Sequence, residues 1–204
     1  MSLHSSRGDT IIEVLFAVTI FSLLAVLSLS IMNKGVAIAQ RSLEVTLVRQ
    51  QMDSQAELIR LAHAAYVKNA DTTESPGQVW KDIKTRAQPS GSLPNIDNPT
   101  VCPSPVPGPT PFVVTRSAPA SATLQLQTFS ELAEPAVYSK VDVNRDTPAT
   151  PAQGLWVQAV RVQADSASVG VDAYDVYIRA CWASVGSTRP VTLGTIVRLY
   201  EPQN

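Results

Sequence analysis

The fold of this chain is decided by residues 7–14, RGDTIIEV, and by the uncharged run that follows them from Val14 to Asn33. The run holds twenty residues, most of them Leu, Ile, Val, Phe, Ala or Ser, which is about the length that one helix needs to cross a ~30 Å hydrocarbon core. A helix satisfies its own backbone hydrogen bonds, so it is a form in which such a run can span lipid. We therefore expect one transmembrane helix near the amino terminus.

Glu13 stands at the edge of this apolar run. A carboxylate in a membrane segment costs about 2.5–3.5 kcal/mol on insertion scales, so such a residue is expected to have a function and a cationic partner. No Lys or Arg occurs in the twenty residues that follow Glu13. A partner for its charge is therefore expected from outside the run.

The arrangement resembles the amino terminus of type IV pilins and pseudopilins, which have a short basic leader, a glycine before the cut and a glutamate five residues beyond it. The matching residues here are the leader 1–8, the Gly8–Asp9 bond and Glu13. The resemblance implies cleavage by a prepilin peptidase, methylation of the new amine of Asp9, and pairing of Glu13 with the amine of a neighbouring pilin subunit. It covers about the first 35 residues.

One residue departs from the family pattern. The position after the cut is usually Phe or Met, and here it is Asp9. A carboxylate beside the terminal amine can pair with it internally and weaken the cation that glutamates of neighbouring subunits seek. This departure favours a low-copy minor pilin over a major subunit.

Two other kinds of amino-terminal segment share some of these features. A secretory signal peptide has a shorter apolar region of about 7–15 residues, followed by a small-x-small cut. An uncleaved signal anchor fits the orientation rule, because Arg7 on the amino side would stay in the cytoplasm. Neither alternative explains Glu13 or the glycine placed five residues before it.

The remaining 170 or so residues are enough for a helix and one domain of ordinary size. The net charge is −1. There is no basic patch to indicate nucleic acid as a partner, no internal repeat and no run of like charge.

Residues 35–70 keep a helical composition without proline, and we expect them to continue the membrane helix 9–34 as one helix from Thr10 to about Asn69, on the order of 90 Å long. Gly35 is its expected weak point. At 100° per residue the second half carries two apolar stripes on opposite sides. The first stripe is Val45, Val48, Met52, Ala56, Ile59, His63 and Tyr66, and the second is Leu43, Leu47, Leu58, Leu61 and Ala65.

Two stripes suit a helix that docks its own globular domain on one side and faces other helices of a filament on the other. The alternative is a helix threaded through the middle of a single domain. A polar wedge lies between the stripes and contains Arg49, Gln50, Asp53, Glu57 and Arg60.

The rest of the chain, residues 71–204, is expected to form an extracytoplasmic globular domain. A short helix is predicted from Pro76 to Ala87, followed by a loop over residues 89–111 that holds eight prolines and favours extended conformations. Six strands are predicted after it, at Phe112–Arg116, Thr123–Phe129, Val137–Val141, Leu155–Gln163, Ala173–Ala183 and Leu193–Tyr200.

A long amino-terminal helix packed on a sheet of sequentially adjacent antiparallel strands is an α+β fold, and the resemblance to pilins implies the same. Within Ala173–Ala183 one face is expected to carry Tyr174, Val176, Ile178, Ala180 and Trp182. The loop 184–192 is expected to turn the chain back into an antiparallel neighbour.

Nothing in the sequence favours catalysis. His4 lies in the leader and His63 lies on an apolar stripe, which is typical of a packed histidine. No nucleophile motif, phosphate loop or metal-ligand spacing occurs. We therefore expect no enzyme activity, no cofactor and no metal.

The two cysteines, Cys102 and Cys181, are candidates for a disulfide. Outside the cytoplasm thiols tend to be oxidised, and an even count permits a bridge that would close a loop of about 80 residues. The alternative is that Cys181 is a buried small hydrophobe.

Two classes of function remain. The first is a filament component, either a minor pilin of a cell-surface type IV pilus or a pseudopilin of a secretion or DNA-uptake system. The second is a solitary membrane-anchored domain that binds a surface ligand.

Overall fold

A computed structural model gives the fold, and it describes residues 9–68, 75–89, 91, 93, 102–103, 108–116, 123–128, 154–162, 172–184 and 187–201. The elements are two helices and six strands: α1 (Asp9–Lys68), α2 (Gly77–Arg86), β1 (Gln88–Pro89), β2 (Phe112–Arg116), β3 (Leu124–Thr128), β4 (Leu155–Val162), β5 (Ala173–Trp182) and β6 (Val191–Tyr200).

Helix α1 is 60 residues long and begins and ends within one residue of its predicted bounds. Its length follows from composition, because the first proline of the chain is Pro76 and nothing before it removes a helical N–H. The helix runs through Gly35 without a break and ends with Lys68 in its last turn, where a cation is favourable.

The chain divides into two units, residues 1–42 and residues 43–204. The boundary therefore falls inside α1, eight residues after the predicted end of the membrane segment at residue 34. The second unit includes the carboxyl-terminal half of α1 because that half packs on the sheet.

The strands form one sheet in the order β3-β2-β4-β5-β6, with the two-residue strand β1 beside β4. All pairs are antiparallel except β1 with β4, which is parallel. The longest ladder joins β5 to β6 over ten residues without interruption, from Ala173↔Tyr200 to Trp182↔Val191. The predicted α+β fold is confirmed.

The core of the second unit lies between α1, α2 and one face of the sheet. The predicted first stripe of α1 supplies Val48, Met52, Ala56 and Ile59, which are all buried. The predicted face of β5 packs against them, and each of its five residues is at most 4% exposed. Helix α2 adds Val79, Trp80 and Ile83, and burying each large side chain contributes about 1.5–3 kcal/mol.

The second stripe of α1 lies mostly outside this core, although Leu58 packs against it. Leu43 and Leu61 are exposed, and Leu47 and Leu58 are half-buried. The whole polar wedge is exposed as well. The helix is therefore packed on one side and not threaded through the middle of the domain.

Two details of the sheet differ from the sequence predictions, and a third prediction is not covered by the described residues. Strand β1 was not predicted, because two residues carry no periodic signal. Strand β6 begins at Val191, two residues before its predicted start. The candidate strand Val137–Val141 lies outside the described residues.

Candidate functional site

The first candidate site is the amino-terminal part of α1. The helix begins at Asp9, which is the residue after the predicted cut, and Gly8 lies outside the described residues. From Ile11 to Ile38 every large apolar side chain is exposed, from 49% at Val36 to 74% at Phe21. This is the surface that a lipid bilayer or the helices of other subunits would cover.

The hydroxyl groups in this run add little polarity to the surface. Thr19 donates to the carbonyl of Phe16 at 2.8 Å, Ser22 to Val18 at 2.7 Å and Ser28 to Leu24 at 2.8 Å. Bonds of this local kind satisfy a hydroxyl without a partner helix. Among the described helices, α1 alone is long and apolar enough to cross a membrane by length and composition.

Glu13 is exposed on this helix. Within the described part of the chain it takes part in no ion pair, and the first cationic residue after it is Lys34, about 30 Å further along the helix axis. Its own helix therefore offers the carboxylate no compensating charge on that side.

The second candidate site is a row of polar contacts that fixes α1 to the sheet. Its first member is Glu44, which is 4% exposed. Its Oε2 accepts hydrogen bonds from Nε1 of Trp182 at 3.1 Å and from Oγ of Ser184 at 2.6 Å, while its Oε1 is buried without a hydrogen-bond partner in the described residues.

The second member of the row is Gln55, which is also buried. Its side-chain Nε2 donates to the carbonyl of Val114, and its Oε1 accepts from the N–H of the same residue, both at 2.9 Å. Strand β2 pairs with β4 only at Phe112↔Val157, so the backbone of Val114 has no strand partner on the side of β4. The amide of Gln55 replaces the missing strand neighbour.

Neither residue was predicted as a site residue from the sequence, although a signal exists. Glu44 and Gln55 are eleven residues apart, which is close to three helical turns, so they share one side of α1. Both lie next to the buried stripe, and polar residues in that position need partners.

The third part of the row joins α1, α2 and the end of β6. Nε2 of His63 donates to the carbonyl of Tyr200 at 3.1 Å, and because a carbonyl only accepts, that nitrogen carries the proton. The ring of His63 also packs edge-on against Trp80, with centroids 4.9 Å apart. Burial lowers the pKa of His63, and the hydrogen bond to Tyr200 offsets this only in part.

Lys84 and Glu201 close the same region. Nζ of Lys84 donates to Oε2 of Glu201 at 2.9 Å and to the hydroxyl of Tyr66 at 3.0 Å, and Nε1 of Trp80 donates to Oε1 of Glu201 at 2.9 Å. Burial by itself lowers the pKa of Lys84, but these two hydrogen bonds outweigh it and the pKa is raised. The arrangement is that of a satisfied structural network, as expected for a packed histidine.

A disulfide bond joins Cys102 to Cys181, with the Cα atoms 5.7 Å apart. It attaches the proline-rich segment to the sheet face opposite α1. The same segment meets this face again at Pro109, whose carbonyl accepts from Nε2 of Gln158 at 2.8 Å. Gln158 and its neighbour Trp156 are buried on that face.

The residues described by the structure contain no group of three or more His, Cys, Asp or Glu side chains that could hold a metal ion. The hydrogen bonds of the row from Glu44 to Glu201 join α1 and α2 to the sheet.

Comparison of the chain with protein-family models, curated proteins and solved structures gives no match.

Proposed function

We propose that this chain is a minor pilin, a structural or initiating component of a type IV pilus or related filament, which assembles through the amino-terminal part of α1. The observation that carries the proposal is Glu13, a carboxylate without an ionic partner in the described residues, at the start of a helix whose large apolar side chains from Ile11 to Ile38 are all exposed. Assembly would cover those side chains and supply the cation that lipid cannot.

The second unit supports the same proposal. Its part of α1 is fixed to the sheet by one stripe and by the polar row, while the polar wedge and Leu43 and Leu61 of the second stripe stay exposed. A helix used only to complete its own domain needs one apolar stripe. The second stripe is available to other subunits.

Maturation is part of the proposal. Cleavage between Gly8 and Asp9 by a prepilin peptidase would create the amine at the start of α1, and that amine, methylated, would be the cation for Glu13 of a neighbouring subunit. The chain would first stand in the membrane as a single-pass protein with its carboxyl-terminal domain outside the cytoplasm, and would then enter the cell-surface filament.

The experiment compares wild type, Glu13→Gln and the matched control Glu57→Gln in a host with an active prepilin peptidase. Glu57 is an exposed carboxylate further along the same helix. We expect all three chains to insert in the membrane and to begin at Asp9, as read by intact mass, and we expect only Glu13→Gln to be depleted from sheared filaments. Gly8→Val is expected to block the cut.

Two outcomes would overturn the proposal in different ways. Chains that start only at Met1 or Ser2 would indicate a solitary membrane-anchored domain. Chains cut at Asp9 that never enter a surface filament would indicate a pseudopilin of a secretion or DNA-uptake system.

A further inference from the structure

Strand β6 forms one end of the sheet. It pairs with β5 on one side, and within the described part of the chain no strand pairs with its other side. Its ten residues are matched one to one with β5, so the strand has no bulge that would twist the edge away. Such an edge presents a row of backbone donors and acceptors to solvent.

The register identifies the groups in that row. The N–H of Glu201 donates to the carbonyl of Asp172 at 2.9 Å, so the odd-numbered residues of β6 exchange backbone hydrogen bonds with β5. In an antiparallel ladder the alternate residues then direct their N–H and C=O groups to the other side. These are Thr192, Gly194, Ile196, Arg198 and Tyr200.

Few of the features that usually keep a long edge strand from pairing with another chain occur here. The strand itself contains no proline, and the nearest prolines are Pro190 before it and Pro202 after it. The carbonyl of Tyr200 is already bonded to His63, and the guanidinium of Arg198 is held by the carboxylate of Asp175 at 2.6 and 2.7 Å. At the centre of the strand stands Ile196, which is 55% exposed.

We propose that β6 pairs in antiparallel fashion with β6 of a second copy of this chain, about a twofold axis at Ile196. In that register Ile196 faces its own equivalent, and Arg198 faces Gly194 of the other copy, which has no side chain to obstruct it. Each Arg198 keeps its own Asp175, so no unpaired cation is buried.

Two other registers are less favourable. A twofold axis at Arg198 would place the two guanidinium groups directly opposite each other, and like charges across a ladder are destabilising. An axis at Gly194 would bring Arg198 opposite Pro190, which cannot donate a ladder hydrogen bond. Charge and backbone chemistry therefore favour the axis at Ile196 over an axis at Gly194 or at Arg198.

This inference stands on β6 alone and is independent of whether α1 assembles a filament. It is tested by thiol cross-linking of the full chain in detergent. The two native cysteines are joined to each other, so a single introduced cysteine is the one free thiol. Residues opposite each other in a hydrogen-bonded antiparallel pair have Cα atoms about 5.5 Å apart, which lies within the range that a disulfide spans.

We expect Ile196→Cys to form a covalent dimer under mild oxidation and Thr192→Cys, an exposed site on the same edge, to form little. In the proposed register the two introduced cysteines of Thr192→Cys are about 27 Å apart. An equal mixture of Gly194→Cys and Arg198→Cys chains is expected to form the mixed dimer in preference to either homodimer.

Equal cross-linking of Ile196→Cys and Thr192→Cys would overturn the proposal, because association through α1 alone would show no such preference. A wild-type chain that sediments only as a monomer at the same concentration would overturn it too.

Discussion

Gln55 completes strand β2 at Val114: the side-chain amide of the helix residue exchanges two hydrogen bonds of 2.9 Å with the backbone of the strand residue. The side-chain amide thus provides the hydrogen bonds that a neighbouring strand would provide, at the point where β2 and β4 separate. The contact spans 59 residues of sequence and holds α1 in one position along the sheet.

Replacing Gln55 by Ala is expected to lower the free energy of unfolding of the second unit by about 2–4 kcal/mol, because the buried N–H and C=O of Val114 both lose their partner. Urea unfolding followed by tryptophan fluorescence measures this, since all three tryptophans are buried in that unit. The control is Gln50→Ala on the exposed side of the same helix, which should change it by no more than about 0.5 kcal/mol. Equal effects at both positions would contradict this account of Gln55.

Glu44 is expected to respond differently to two substitutions. Glu44→Ala removes the acceptor of Trp182 and Ser184 and should cost about 1–3 kcal/mol. Glu44→Gln keeps an acceptor and removes a buried carboxylate that has no cationic partner among the described residues, so it should leave stability unchanged or raise it. Glu57→Gln on the exposed side is the control. A large loss with Glu44→Gln would show that the negative charge itself is needed.

Stability should depend on pH through His63. Its pKa in the folded chain is lowered by burial, so the unfolded chain binds the proton more readily. The stabilising contribution is therefore present above the unfolded pKa of about 6.5 and is lost as the pH falls toward the folded pKa. The comparison variant is His63→Gln, which retains a donor for the carbonyl of Tyr200. We expect the difference in unfolding free energy between wild type and this variant to become smaller as the pH falls from about 7 to about 5. A difference that stays constant over this range would contradict the prediction.

The disulfide should protect both thiols from labelling in denatured, unreduced protein. The double variant Cys102→Ala, Cys181→Ala is expected to lose on the order of 4 kcal/mol of unfolding free energy, because the bridge restricts a loop of about 80 residues in the unfolded chain. Wild-type protein with the disulfide reduced should lose about the same unfolding free energy as the double variant. Two reactive thiols in the unreduced, exported protein would show that the bridge does not form there.

The sequence predicted the elements whose signal is local. The buried stripe of α1 from Val48 to Ile59 follows the helical period, and the buried face of β5 from Tyr174 to Trp182 follows the period of two. In α1 the pattern is strong because one side of the helix is buried and the other is exposed, whereas in β5 it comes from the alternation of apolar and polar residue types, since both faces of the strand are largely buried. The ends of α1 were also predicted within one residue. Its carboxyl-terminal end was predictable because turn residues and Pro76 follow Lys68.

The contacts that join these elements could not be predicted in this way. Glu44 meets Trp182 across 138 residues and Trp80 meets Glu201 across 121, and such pairs appear only when the strand order is known. The proline-rich segment raised a related difficulty, because its composition indicated extended chain but not that Pro109 would reach Gln158. The apolar surface of the amino-terminal part of α1 was predictable from the sequence. The partner that covers this surface stays a prediction.

The bond between Cys102 and Cys181 closes a covalent ring that contains β2, β3, β4 and nearly all of β5, while α1, α2 and β6 lie outside it. A single proteolytic cut anywhere within the ring leaves both fragments in one molecule. A pulling force applied between α1 and the carboxyl terminus passes through the sulfur atoms instead of the 79 residues between them, which removes about 270 Å of possible extension. In the filament proposed above, a tension along the chain would place no backbone load on most of the sheet as long as the bridge is intact.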